Sequence, residues 1–156
     1  MNIKFVGVAV VIAIATGCAS VPMESPEADR TAKEFRTPEG EKAGLYIYRA
    51  AGIGTALKKD IWVDGECIGE SAPQIFFYTE VDGDQTHTVS TESEFSPNNL
   101  EVATASGKNF FVEQYMKIGV FVGGANLRLV DPVVGKAAVN KLTLAKKGNC
   151  SKDMSN

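Results

Sequence analysis

The chain has 156 residues, with 16 Lys+Arg against 19 Asp+Glu and a formal charge of −3. That is the size of one domain, and it lacks the basic surplus of a protein that wraps phosphate backbones. One His and three Cys leave little for a multi-ligand metal site, so neither nucleic acid, metal nor cofactor is expected.

Lys4 is the only charge before Cys18, and Phe5 to Ala15 is an unbroken stretch of apolar residues and one glycine. A bilayer core needs about 20 residues to cross, so this shorter run reads as the centre of a signal peptide covering residues 1–17. Ala15-Thr16-Gly17-Cys18 resembles a bacterial lipobox, in which small residues precede an obligatory cysteine. The resemblance implies a diacylglyceryl thioether on Cys18, cleavage before it and acylation of the new amine. Acyl chains anchor firmly because each buried methylene contributes ~0.8 kcal/mol. The competing reading is an ordinary signal peptide cut after Ala15 or Gly17, with Cys18 incidental. Position 19 is Ala, not the Asp of the inner-membrane retention signal. Resemblance to sorted lipoproteins therefore implies the outer membrane, with the body facing the periplasm.

Residues 18–41 are polar and punctuated by Pro22, Pro26 and Pro38. Such a stretch buries too little apolar surface to offset its ordering entropy and reads as a flexible lipidated tether. Ser25-Pro26-Glu27 is nevertheless a helix-start signal, with Ala28, Ala32 and Phe35 on one side, and predicts a short helix over 26–36.

A β domain is expected over 42–148. Leu45-Tyr46-Ile47-Tyr48-Arg49 is rich in aromatic and branched residues. Asp64-Gly65 lies between two alternating segments, Lys59 to Val63 and Glu66 to Gly69, and favours a two-residue type I′ hairpin. Further strands are expected at Phe76 to Val81, Thr86 to Thr91 (half exposed), Leu100 to Thr104, Asn109 to Tyr115 and Ala125 to Val130. Asp131 and Pro132 can open a helix in which Val134, Ala138 and Leu142 recur every four residues, although Gly135 weakens it by about 1 kcal/mol. Residues 149–156 read as a tail. About seven short strands spaced by turns argue an all-β fold, an antiparallel sandwich with a short C-terminal helix.

Gly44 to Arg49, Val63-Asp64-Gly65 followed by Ile68-Gly69, and Gly107 to Val112 carry a resemblance to a family of bacterial lipoproteins whose domain has no assigned function. That domain is similar to PEGA-type β-sandwich modules, which share the Asp-Gly hairpin. The resemblance implies the fold and offers no catalytic residues.

With Cys18 acylated, Cys67 and Cys150 remain, and an exported protein meets an oxidising compartment where disulfides persist. A bond between them would close a loop of about 83 residues and contribute ~4 kcal/mol. The alternative is a buried Cys67 and a free Cys150. His87 would be needed for any Ser–His–Asp arrangement, with Ser71, Ser90 or Ser93, but no Gly-x-Ser-x-Gly elbow is present and a structural histidine is favoured. Gly52-Ile53-Gly54 lacks the third glycine of a dinucleotide loop, and Asp82-Gly83-Asp84 lacks the later ligands of a calcium loop. Glu92 and Glu94 share a strand face without a neighbour that would raise one pKa.

Gly119-Val120-Phe121-Val122-Gly123 is apolar, glycine-rich and uncharged. It reads either as a buried bulged strand or as an exposed loop that contacts a partner or lipid. Trp62 and Arg49 are secondary candidates for the same surface. The expectation is a non-enzymatic interaction or structural module, held to the membrane by acyl chains and engaging an envelope protein. The alternative is a periplasmic binder or inhibitor of an envelope enzyme.

Overall fold

The computed structural model describes residues 20–119 and 123–151. Residues 1–17 and Cys18 lie outside the described residues, as do Val120, Phe121 and Val122. The elements run α1 (Pro26–Ala32), β1 (Lys42–Arg49), β2 (Lys59–Val63), β3 (Glu66–Ser71), β4 (Ile75–Asp82), β5 (Thr86–Thr91), β6 (Asn98–Ala103), β7 (Asn109–Lys117), β8 (Gly124–Val130), α2 (Pro132–Val139) and β9 (Thr143–Leu144). One sheet has the order β8-β7-β1-β4-β9 and the other β3-β2-β5-β6.

The fold is thus strand-rich, with nine strands among the described residues where about seven are expected. It also departs from a purely antiparallel arrangement: β1 pairs in parallel with β7, and β4 in parallel with β9. Parallel neighbours are joined by long connections, here the whole second sheet and α2, so no local turn announces them.

Strand β1 shows why. Its side chains alternate between faces, yet every residue from Ala43 to Arg49 is buried. Leu45 and Ile47 enter one core with Ile61, Val63, Val89 and Val102 of the other sheet. Tyr46 and Tyr48 enter a second core with Phe76, Phe111, Val139 and Leu144 on the opposite face. That second face is roofed by both helices. The Asp64-Gly65 turn joins β2 to β3 with both residues at positive φ (52° and 81°), the backbone a type I′ turn requires.

Helix α2 is capped as expected: the Asp131 carboxylate accepts from the Val133 amide at 2.8 Å. Gly135 costs propensity but serves packing, since a Cβ there would lie 2.3 Å from Phe111 Cγ. Helix α1 is shorter than expected and ends at Ala32, with the Ser25 hydroxyl accepting from the Ala28 amide.

The flexible tether needs correction. From Pro22 to Arg36 the chain is strapped onto the body. The Glu24 amide donates to the Leu144 carbonyl at 2.9 Å, the Lys146 amide donates to the Pro22 carbonyl at 2.9 Å, and Met23 bridges Ala145. Asp29 accepts from the Leu144 amide, the Tyr46 hydroxyl donates to the Ala32 carbonyl, and Phe35 lies against Tyr46 and Phe111. A few apolar anchors and backbone bonds hold a segment whose average composition reads as solvated. The residues entering the 149–156 tail are likewise docked: Glu70 donates its amide to the Asn149 carbonyl at 2.7 Å, and the Ser151 amide donates to the Asp60 carboxylate at 2.9 Å.

Candidate functional site

Strand directions gather three loops at one end of the molecule. Arg49, at the end of β1, pairs with Ile75, and β7 runs parallel to β1, so the 50–58 and 118–123 connections leave the same end. Thr91 lies opposite Ile61, which brings the 92–97 connection there too. The carbonyl of Ala125 accepts from Asn98 Nδ2 at 2.6 Å, tying the start of β6 to β8.

This end carries large apolar side chains in water. Ile118 is 91% exposed, Phe95 78% and Ile53 61%. Between Ile53, Leu57, Met116 and Ile118 lies a cavity of about 270 Å³, with Gly119 and Gly123 on its wall. The structure therefore places Gly119 and Gly123 of the candidate loop beside exposed hydrophobics from another connection, while Val120, Phe121 and Val122 are not described. Apolar side chains grouped at one loop end are the usual mark of an interaction surface.

Arg49 and Trp62 do not belong to that surface. Trp62 is 3% exposed within β2, and Arg49 is 2% exposed. The Arg49 guanidinium donates to the Leu57 carbonyl (2.7 Å) and the Gly54 carbonyl (2.5 Å). Burial draws its pKa below the ordinary guanidinium value. Its role is to hold the 50–58 connection in shape beneath Ile53 and Leu57, because a five-donor fork can satisfy several loop carbonyls at once. The sequence signal was present, an Arg ending an aromatic strand before a glycine-rich connection, but it does not reveal which carbonyls are met.

The opposite end holds His87, which is nearly buried where a half-exposed strand is expected, because β5 lies inside its sheet between β2 and β6. Its Nδ1 lies 2.6 Å from an Asp64 carboxylate oxygen and its Nε2 2.7 Å from the Asp82 carbonyl. Burial pulls the imidazole pKa down, but the bonds to Asp64 and Asp82 outweigh it and leave the pKa raised. Both ring nitrogens are thereby engaged. Ser71 donates instead to the buried Gln114 carboxamide, whose Nε2 donates to Thr91 Oγ1 at 2.7 Å. Asp84 accepts from the Ser106 hydroxyl at 2.6 Å, so Asp82-Gly83-Asp84 forms a braced turn. Glu92 lies 3.9 Å from Lys59. Among the described residues no cluster of three or more His, Cys, Asp or Glu could hold a metal ion.

Cys67 and Cys150 are bonded, with Cα atoms 6.0 Å apart. The bond fastens the segment after β9 to the β2–β3 hairpin, alongside the Gly148 amide bonded to the Ile68 carbonyl at 2.9 Å.

A larger groove of about 660 Å³ is lined by Ala28 and Ala32 of α1 together with Tyr46, Tyr78 and Leu144. Burial pushes the Tyr46 hydroxyl up to about 12, with the Glu80 charge adding to it. The Tyr78 hydroxyl donates to Glu80 at 2.9 Å. Sequence reasoning missed this groove because it exists only once the strap is docked. None of the described helices is long and apolar enough to cross a membrane.

Comparison with known proteins gives a family. The chain belongs to the family described as "Protein of unknown function (DUF2846)", whose model matches residues 39–125. A relative from Haemophilus influenzae, described as an uncharacterized protein, is 53% identical over 142 residues, covering 91% of this chain and 82% of the relative. No solved structure matches the chain.

Proposed function

We propose that this member of the family is a lipid-anchored protein of the bacterial envelope, held by Cys18 at the periplasmic face of the outer membrane. It acts there as a non-enzymatic interaction or structural module. In this reading the two sheets form a β-sandwich of the PEGA type, and the end bearing Ile53, Phe95 and Ile118 docks on an envelope protein. The exposure of these side chains on three converging loops carries the reading. The Cys67–Cys150 bond supports it, since such bonds persist outside the cytoplasm. The engagement of both His87 nitrogens by Asp64 and Asp82 supports a structural role for the one histidine.

A second reading, a binder or inhibitor of an envelope enzyme, is favoured by Ile118 alone, which projects at 91% exposure from the head of the β7–β8 pair as a residue entering a cleft would.

A photo-crosslinking residue at Ile118 in intact cells tests the interaction. The expected result is one discrete protein adduct that is lost with Ile53→Asp while the protein remains folded. Adducts with lipid alone, or adducts indifferent to Ile53→Asp, refute it. An adduct that persists when Cys18→Ser releases the body favours the inhibitor over the anchored module. Acylation itself is read by mass spectrometry of the N-terminal peptide.

A further inference from the structure

We infer that the body meets the bilayer by one lateral edge, where residues 22–24 run beside residues 144–146, and that the apolar loop end points away from lipid. The inference rests on the proposed anchoring at Cys18 and adds a direction to it.

The leash is short. Among the described residues Pro22 is the first with a hydrogen bond to the body, through its carbonyl and the Lys146 amide, and Val21 before it packs on the core. Three residues, Ala19 to Val21, lie between it and Cys18, and the four Cα-to-Cα steps span at most ~14 Å even when fully extended. The eight-residue strand β1 alone is ~26 Å long at ~3.3 Å per residue. An acylated Cys18 therefore holds the exit edge near the headgroups whatever path residues 18–21 take. A solvated tether from residue 18 to 41 would have imposed no such limit.

The exit also has a heading. β4 starts at the apolar end, since Ile75 lies opposite Arg49, and β9 runs parallel to it. Met23 bridges Ala145 in the antiparallel sense. Traced from Glu24 back to Pro22, the chain therefore moves in the direction of β4, away from Ile53 and Ile118. The edge it leaves is suited to a headgroup layer that carries both ammonium and phosphate. Lys146 and Lys147 are exposed there, with Glu24 and Glu27 across the strap, and Lys147 donates to Thr79 Oγ1 at 3.1 Å. The exposed hydrophobics at the apolar end then face the aqueous side and a protein.

The full acylated chain in nanodiscs of phosphatidylethanolamine with a minority of phosphatidylglycerol, doped with headgroup spin-labelled lipid, tests this. Amide relaxation enhancement is expected to be greatest at Met23, Glu24 and residues 146–149, and several-fold smaller at Ile53 and Ile118. A uniform profile, or a maximum at Ile53 and Ile118, overturns the inference. A Gly-Ser insertion between Ala19 and Ser20 should flatten the gradient without affecting acylation; an unchanged gradient also overturns it. An unmodified Cys18 by mass spectrometry overturns the anchoring itself, and is distinguished from an acylated chain with the wrong gradient.

Discussion

Opening the Cys67–Cys150 bond should cost this fold a large share of its stability. The bond closes a separation of 83 residues. On the chain-entropy relation that corresponds to ~4.5 kcal/mol at 25 °C, against a total of about 5–15 kcal/mol for an ordinary domain. The native contacts around Cys150 do not depend on the sulfur atoms. Glu70 still bonds Asn149, Gly148 still bonds Ile68, and Ser151 still bonds Asp60. The loss therefore acts mainly by loosening the unfolded chain. Urea unfolding of Cys67→Ser, Cys150→Ser, the double variant and the reduced parent should give one common deficit, because all four open the same loop. A deficit below about 1 kcal/mol refutes the argument. So does a double variant whose loss is the sum of the singles, since additivity would mean that each serine acts on its own surroundings and not through a shared bond.

Gly135→Ala should destabilise, although alanine is the better helix former by about 1 kcal/mol. The new Cβ would stand 2.3 Å from Phe111 Cγ, a ring that is fully buried on the sheet. Lifting α2 or displacing the ring should cost ~1–3 kcal/mol, and a raised Tm would refute the packing account. Stability should also fall as pH rises through the His87 transition. Its folded pKa is raised above the ordinary 6.5, so the charged form is favoured by folding. That contribution is complete below the unfolded value and is lost as pH climbs past the folded one. Relative to His87→Gln, the parent should lose stability across this range, the loss being tempered by solvent because Asp64 is half exposed. Parallel pH profiles for parent and variant would refute the role of Asp64 and the Asp82 carbonyl.

Local signals carried the elements that local chemistry determines. Asp64-Gly65 announces its own turn, Asp131-Pro132 its own helix start, and the alternation of Thr86 to Thr91 its own strand. What could not be read is pairing between distant segments. Nothing in Gly44 to Tyr48 names Asn109 to Glu113 as a parallel neighbour, and the two residues of β9 are too short to leave a pattern. The strap was illegible for a different reason. Its average polarity describes most of its residues, while its position is decided by Ala28, Ala32, Phe35 and a few backbone bonds. At the candidate site, Gly119 to Gly123 stood out as an uncharged run, but the contribution of Ile53, Leu57 and Ile118 to the cavity beside Gly119 and Gly123 required the tertiary arrangement.

The meeting of residues 22–24 with residues 144–146 has a kinetic consequence. A chain made from its N-terminus delivers one half of that clasp first and the other only after Lys146. Until then Tyr46, Phe76 and Phe111 have no finished roof, since Phe35 of the strap and Leu142 and Leu144 of the late segment complete it together. Nascent molecules would pass through a stage with an aromatic sheet face open to solvent, the kind of surface that aggregates or recruits a chaperone. Assembly of this protein is in that sense gated by its last strand.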